Sequence, residues 1–490
     1  MGVIQRQGLQ SAVITYSGMI VGFISLLVIQ PWLLSAEEIG LTRILFSFSF
    51  LVSTVLPLSA GNITTKFFPK FRDAEKKHKG FLGFMLLFPL LGSLIVLPIL
   101  YLLKESLMAR YSFESPLFVE YFFWVFPLSI VLALISLMNN YLFAVFRPLL
   151  PALAQEVLIR VFFIVLILIY ASGWLSLDTF IMCFFGTYLL QLLLVWIQTL
   201  RIGAWSLKFD KTLLTKPLVK EILIYGSTVF AAGIGSMAIK LLDAVILGQF
   251  VPLALVGIYG VAAFIPTFIE APVNALDKVA NPRVADAWEK GDMENIKEIY
   301  YKSSRYLFVL GGFLFLMVVL NAKFLFKWLP PDFYAGVPVV QILSLAALFN
   351  LMTGSNTSII FTSSRFAFGA AALVGVAILN LVLLYVLIPP YGLIGAAWAT
   401  CLSALAYNLF KYTFILLRFH LQPFDKRTFF IALSIVAAYG AASVIPLFGN
   451  VILDVATHAF IGGGVYALLI WYSRAVEDLR DLIPFLKKKI

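Results

Sequence analysis

Residues 177–200 read LDTFIMCFFGTYLLQLLLVWIQTL, and residues 201–220 continue RIGAWSLKFDKTLLTKPLVK. The first block is apolar and about 20 residues long, which in helical form spans the roughly 30 Å hydrocarbon core of a bilayer. The second carries Arg201, Lys208, Lys211, Lys216 and Lys220, the mark of a loop held at a membrane surface. The same alternation runs through the whole chain, with apolar blocks end to end and nearly all basic residues in every second gap. The composition agrees: 61% hydrophobic against 12% charged residues, with a mean hydropathy of +0.98, lies outside the range of soluble domains. In lipid every backbone N–H and C=O must be paired within the segment, so the fold expected is an all-α polytopic membrane protein.

Apolar runs divided at polar or Pro/Gly punctuation give about 14 spans, roughly at 9–30, 41–60, 80–103, 118–140, 150–171, 177–199, 221–246, 254–276, 303–321, 335–357, 366–388, 392–415, 428–448 and 454–473. The pair between 221 and 276 forms one nearly unbroken apolar stretch, split here at Gly248-Gln249-Phe250-Val251-Pro252, whose Gly and Pro suit a tight turn. With the N-terminus inside, 30 of the 36 basic residues fall on the cytoplasmic side, Lys411 among them. The six exceptions are Arg43, Lys104, Arg110, Lys240, Lys323 and Lys327. Both termini are therefore expected in the cytoplasm. The net charge of +11 is this topology signal plus attraction to anionic lipid, and calls for no nucleic acid.

The first apolar run is too long for a signal-peptide core and stays as a helix. Cys183 and Cys401 fall inside spans and are expected to pack there, with no metal-site spacing. The longest outward loop, 104–118, leaves no room for an outer domain, and no GxxxxGK[ST] phosphate loop occurs. The three histidines, His78, His420 and His458, are scattered and expected to be solvated. An enzyme is not expected.

The chain also repeats itself. Tyr16 in the first span corresponds to Tyr225 in the seventh, Phe68-Pro69-Lys70 to Asn281-Pro282-Arg283, and Arg147 to Arg365. The expected organisation is an N-lobe at 1–200 with six helices, a cytoplasmic connector at 201–220 and a parallel C-lobe at 221–415. A helix pair with a basic tail is appended at 416–490. Parallel repeats of this kind are a transporter architecture, with the substrate path between the lobes. A non-transporting membrane scaffold is the reading from another class, and the internal repeat speaks against it.

Five motifs stand in a definite order: Ser35-Ala36-Glu37-Glu38-Ile39-Gly40-Leu41, Thr65-Lys66-Phe67-Phe68-Pro69-Lys70-Phe71, Leu242-Asp243 with Leu247-Gly248-Gln249-Phe250, Val256-Gly257-Ile258-Tyr259, and Asn380-Leu381-Val382-Leu383 followed by Ile388-Pro389-Pro390-Tyr391-Gly392-Leu393-Ile394-Gly395. Their order and spacing resemble the polysaccharide (O-antigen/exopolysaccharide) flippase branch of the multidrug/oligosaccharidyl-lipid/polysaccharide exporter superfamily, over nearly the whole chain. The resemblance implies a substrate, a polyprenyl-pyrophosphate-linked oligosaccharide, carried from the inner to the outer leaflet of a bacterial cytoplasmic membrane. The product serves lipopolysaccharide, capsule or exopolysaccharide synthesis, with a glycan polymerase among the partners. It implies no cofactor. A Na+ or H+ gradient and consumption of the product outside fit equally well as driving forces.

An anionic head group crossing hydrocarbon needs a wet, cationic cavity, so charges within the spans mark candidate sites. Arg160 lies about 15 Å deep in the fifth span, with Glu156 four residues earlier; the two are either cavity groups or a buried ion pair. Lys240 and Asp243 lie in the outer third of the seventh span. Arg43, in the first turn of the second helix, is expected to snorkel. Glu270, between Pro266 and Pro272, and Asp243 are candidate gate or coupling groups, together with Asn380. Asn139, Asn140, Gln155, Gln341, Asn350 and Asn356 are placed to bond sugar hydroxyls or to glue helices. Lys66, Arg147, Arg283 and Arg365 stand at the inner mouth. Two departures matter within the superfamily. The lipid II flippases carry cations in the first helix, whereas 11–34 has no ionisable side chain but Tyr16. Cation-coupled multidrug antiporters tend to place an acid in the early helices, where this chain has Glu37 and Glu38 at an outer turn and none other before Asp73.

Overall fold

The computed structural model describes residues 3–73, 77–202, 206, 209, 215–446 and 448–473; the side chains of 3–9, 11, 12, 77, 238, 240 and 278 are not among those described. Most of the expected connector and the basic tail lie outside these residues, as does the side chain of Lys240. The described residues form helices and turns with no strand.

The helices are α1 (Val3–Phe23, continued by a π turn and a short helix to Leu33), α2 (Ala36–Val55), α3 (Ala60–Phe67), α4 (Phe81–Leu102), α5 (Pro116–Ala144), α6 (Leu149–Ala171), α7 (Leu177–Arg201) and α8 (Lys216–Leu247). There follow α9 (Leu253–Phe264), α10 (Thr267–Lys290), α11 (Met293–Lys327), α12 (Val337–Met352), α13 (Asn356–Thr362), α14 (Phe366–Phe419), α15 (Lys426–Ser443) and α16 (Val451–Tyr472). Among the described residues eleven helices are long and apolar enough to cross a membrane, or twelve if α9 and α10 form one interrupted span. All 14 expected spans find a helix, because α14 holds two of them and α15 supplies another. α14 breaks at Gly392, where φ 54° and ψ −127° lie in a region closed to a residue with a Cβ. α8 ends at Leu247 and α9 starts at Leu253, so the Gly248–Pro252 turn falls where the apolar stretch was divided.

Local chemistry starts the helices where the charges change. Ser35 caps α2 in a reciprocal box: its Oγ accepts from the Glu38 N–H at 3.2 Å, while Glu38 accepts from the Ser35 N–H at 2.8 Å. Asp425 caps α15 in the same way with Thr428, and Asn450 takes the N–H groups of Ile452 and Leu453 at α16.

The chain divides into two compact units, 1–260 and 261–490. The first has its core where α3, α4 and α5 meet, with Phe67, Phe68, Phe71, Phe81, Met138 and Tyr141 buried together. Contacts between its gaps tie the helix ends together. At one end Tyr111 and Ser115 donate to the carbonyls of Val245 and Gly248, joining the segment after α4 to the end of α8. At the other, Lys70 bonds Glu221, and Arg72 bonds the Ala144 carbonyl.

The second unit packs α11 against α12 and against α15 and α16, burying Leu316, Leu320, Ile431, Ile435 and Tyr466 in one cluster. The C-terminal pair, expected as an appendage, is therefore part of this core. Two of the histidines also depart from expectation. His458 is 2% exposed, inside α16 with Nδ1 on the Asp454 carbonyl, and His78 is buried against Phe68; only His420 is exposed. The apolar faces around them outweigh the solvation that loop-like sequence positions suggest. Cys183 and Cys401 are free, and Cys401 is buried.

Candidate functional site

Three charged constellations lie among the spans. In the first, Arg160 follows a π turn in α6 and ion-pairs with Glu156 at 3.5 Å, both side chains 30% exposed. Its guanidinium also donates to the Gly18 carbonyl of α1, and Gly22 lies against the same group. A side chain at either glycine would collide with α6, so small residues on α1 let the arginine reach backbone. Arg160 thus sits on the α1–α6 seam, where α1 has its own π turn at Ile24–Ile29. π turns inside helices recur at functional positions.

The second lies on α2, α8 and α9. Gly40 and Gly257 face each other so closely that a Cβ at either would meet the opposing backbone, which brings α2 and α9 together. One turn further along, the stem of Arg43 runs along Gly260, and its Nε is buried without a partner. Asp243, 6% exposed, faces this arginine electrostatically and accepts from the Ala244 N–H at 2.7 Å. Arg43 as a whole is half-buried. The glycine contact leaves room for it inside the packing, where a carboxylate compensates its charge.

The third was not expected. Lys411 is 2% exposed, with its Nζ donating to Thr357 Oγ1 at 3.1 Å and lying 4.3 Å from the Tyr407 ring centre. Asp277 and Glu270 of α10 are in electrostatic reach, two helical turns apart on one face. Asp277 accepts from Ser358 Oγ at 2.9 Å, and Thr357 donates to Asn356 Oδ1 at 3.2 Å. Asn356 is 1% exposed and its Nδ2 has no partner. The charge pattern counts Lys411 with the cytoplasmic-side residues, although it falls within the span 392–415; α14 runs on to Phe419 and places it about 12 Å inside the helix end. The signal was present: Tyr412–Leu417 separate Lys411 from Arg418 without another charge.

The remaining candidates distribute as follows. Asn139 is buried and bonds Gln155 Oε1 at 3.3 Å, as interhelical glue would. Asn140 donates to the Ser136 carbonyl and accepts from Thr65 at 3.3 Å. Asn380 is fully buried, donating to Ser403 at 3.3 Å with its Oδ1 unpaired. Gln341 and Asn350 are half-buried on α12. Lys66 and Arg147 are exposed on the first unit, Arg283 and Arg365 on the second.

No family model matches the chain. An uncharacterised membrane protein of Methanocaldococcus jannaschii is 25% identical over 299 residues, so the match spans 57% of this chain and 56% of that protein. Among solved structures, a lipid II flippase, MurJ, in an inward-closed conformation superposes with a TM-score of 0.76 at 14% identity, covering 96% of this chain and 99% of that one. The fold is that of the flippases and multidrug transporters. An inward-facing multidrug-resistance MATE transporter of the MOP superfamily superposes at 0.61 with 13% identity, over 84% of this chain and 98% of its own. A MOP-superfamily transporter from Pyrococcus furiosus, described as having a binding pocket of reverse polarity, superposes at 0.51 with 15% identity, over 84% and 95%.

Proposed function

We propose that this multi-pass membrane protein is a flippase for a polyprenyl-pyrophosphate-linked oligosaccharide, moving it from the inner to the outer leaflet of a cytoplasmic membrane by alternating access. The observation that carries this reading is chain-long agreement in fold with a lipid flippase, combined with cations placed within the spans at Arg160, Arg43 and Lys411. A pyrophosphate needs compensating charge in hydrocarbon, and arginine supplies a forked donor for it. Arg160 is the proposed head-group contact. Its present partners, Glu156 and the Gly18 carbonyl, mean that engaging a phosphate loosens α6 from α1, which ties loading to a helix movement.

A lipid II cargo has the support of the same neighbour, but 11–34 lacks the cations expected for it. A cation-coupled multidrug antiporter is the second reading, favoured by the carboxylates Asp277 and Glu270 beside Lys411 and by the MATE fold. In the antiporter reading a Na+ or H+ couples at carboxylates within the spans, with Asp243 and Glu270 the proposed ligands; the flippase is driven either by the same coupling or by consumption of its product outside. The physiological partners are membrane lipids and a glycan polymerase.

The test is reconstitution of the purified chain in vesicles with a labelled polyprenyl-pyrophosphate oligosaccharide. Protein-dependent appearance of label in the opposite leaflet supports the flippase. Absence of flipping together with gradient-driven export of cationic drugs replaces it with the antiporter.

A further inference from the structure

Lys66, in the last turn of α3, and Lys70, in the 3-10 turn Phe68–Phe71 that follows, converge on one carboxylate. Lys70 Nζ is 2.9 Å from Glu221 Oε2 and Lys66 Nζ 4.0 Å from Oε1. Both ammonium groups are held from behind by aromatic faces: Lys66 lies 4.0 Å from the Tyr225 ring centre and 5.2 Å from Phe67, and Lys70 5.2 Å from Phe67. Tyr225 packs edge-on against Phe67, which is fully buried, so the platform beneath the lysines is anchored in the core of the unit. Beside Lys66, Thr65 bonds Asn140, whose amide is fixed on the Ser136 carbonyl. The lysine and glutamate side chains are 43–52% exposed, so the site is open to water.

Two preorganised cations against one carboxylate leave a net positive charge on an open surface. Ion pairs this exposed are weak and readily exchanged. A ligand bearing several anionic oxygens at phosphate spacing satisfies both ammonium groups more fully than one carboxylate does. We propose that Lys66 and Lys70 form a pyrophosphate-binding entry site, and that Glu221 occupies it as an internal anion which the incoming pyrophosphate displaces. Because Glu221 belongs to α8, Lys66 to α3 and Lys70 to the 3-10 turn Phe68–Phe71 that continues it, displacement also severs the ion pairs that tie these segments together at this end. The proposal rests on the flippase reading for the identity of the ligand's carrier, while the exchange itself depends only on the residues named.

The experiment is titration of the full-length protein with inorganic pyrophosphate at constant ionic strength, in nanodiscs of phosphatidylcholine, followed by calorimetry. Glu221→Gln is expected to tighten binding about fivefold, and Lys66→Gln with Lys70→Gln to weaken it by about tenfold or more. Equal affinity in the wild type and Glu221→Gln, or an unchanged affinity in the double lysine variant, overturns the proposal. A repeat with phosphatidylglycerol present separates sources of phosphate. If the lipid abolishes pyrophosphate binding, the site is a headgroup site and the proposal falls. Wild-type flipping in vesicles with no effect of Glu221→Gln on binding sinks the entry site alone, whereas tightened binding without any flipping sinks the flippase reading and leaves the site standing.

Discussion

At the scale of residues, the pairings inside the spans carry the sharpest predictions. Lys411 is buried beside the half-buried Asp277 and Thr357, with Glu270 also in reach, so removing Asp277 takes away part of the charge that compensates a buried ammonium group. Asp277→Asn is expected to lower stability by about 3 kcal/mol, while Lys411→Met with Asp277→Leu costs less than the sum of the single changes. Thermal unfolding of the purified protein, read as a double-mutant cycle, checks this; additive effects would show that the two charges do not interact. Arg160→Glu places a carboxylate beside Glu156 at the Gly18 carbonyl, and is expected to abolish flipping while insertion and expression stay intact. Normal transport by that variant removes Arg160 from the substrate path. The pair with Glu156 was legible in the sequence because it is an i,i+4 spacing. The reach to Gly18 was not, since it depends on which helix lies alongside.

At the scale of elements, two glycines in α14 separate conformational need from mere presence. Gly392 sits at φ 54° and ψ −127°, whereas a Cβ on Gly375 meets nothing within 4 Å. Gly392→Ala should cost about 1–3 kcal/mol through backbone strain, and Gly375→Ala should be neutral or stabilising by about 0.5–1 kcal/mol. Opposite shifts in melting temperature are the expected pattern, and parallel shifts would contradict the break between the two spans. The Ile388–Gly395 motif announced this junction, since two prolines and a glycine in an apolar run leave few ways to continue a helix. The approach of α2 to α9 at Gly40 and Gly257 was invisible by contrast, because a glycine in an apolar helix gives no hint of the partner that needs the space.

At the scale of the whole molecule, the prediction concerns sidedness. Single cysteines at Ser172 and Lys290, introduced after replacing Cys183 and Cys401, should label oppositely: Ser172→Cys from outside intact cells, and Lys290→Cys only after permeabilisation. The reverse pattern would invert the topology, and with it the inward placement of Lys66 and Lys70. Truncation before α15 is expected to yield aggregated protein, because α15 and α16 cover Leu316 and Leu320 of α11, and Arg305 of α11 pairs with Asp425 at 3.2 Å. A monodisperse truncated protein would show the C-terminal pair to be dispensable for folding.

The amino-acid sequence by itself determined the helical class and where the apolar helices begin and end. Each of these follows from local rules: an apolar length matched to hydrocarbon thickness, backbone bonds satisfied within the segment, and punctuation such as Gly248–Pro252. Only the tertiary structure decided which charges meet. Lys411 read as a cytoplasmic-side charge and lies buried beside Asp277; Arg43 read as a side chain near the helix start, and only the packing shows that it faces Asp243; His458 read as solvated and lies in the core. The physical reason is the same in each case. In lipid a polar side chain answers to the helix packed beside it, and that neighbour comes from far along the chain, beyond the reach of any local pattern.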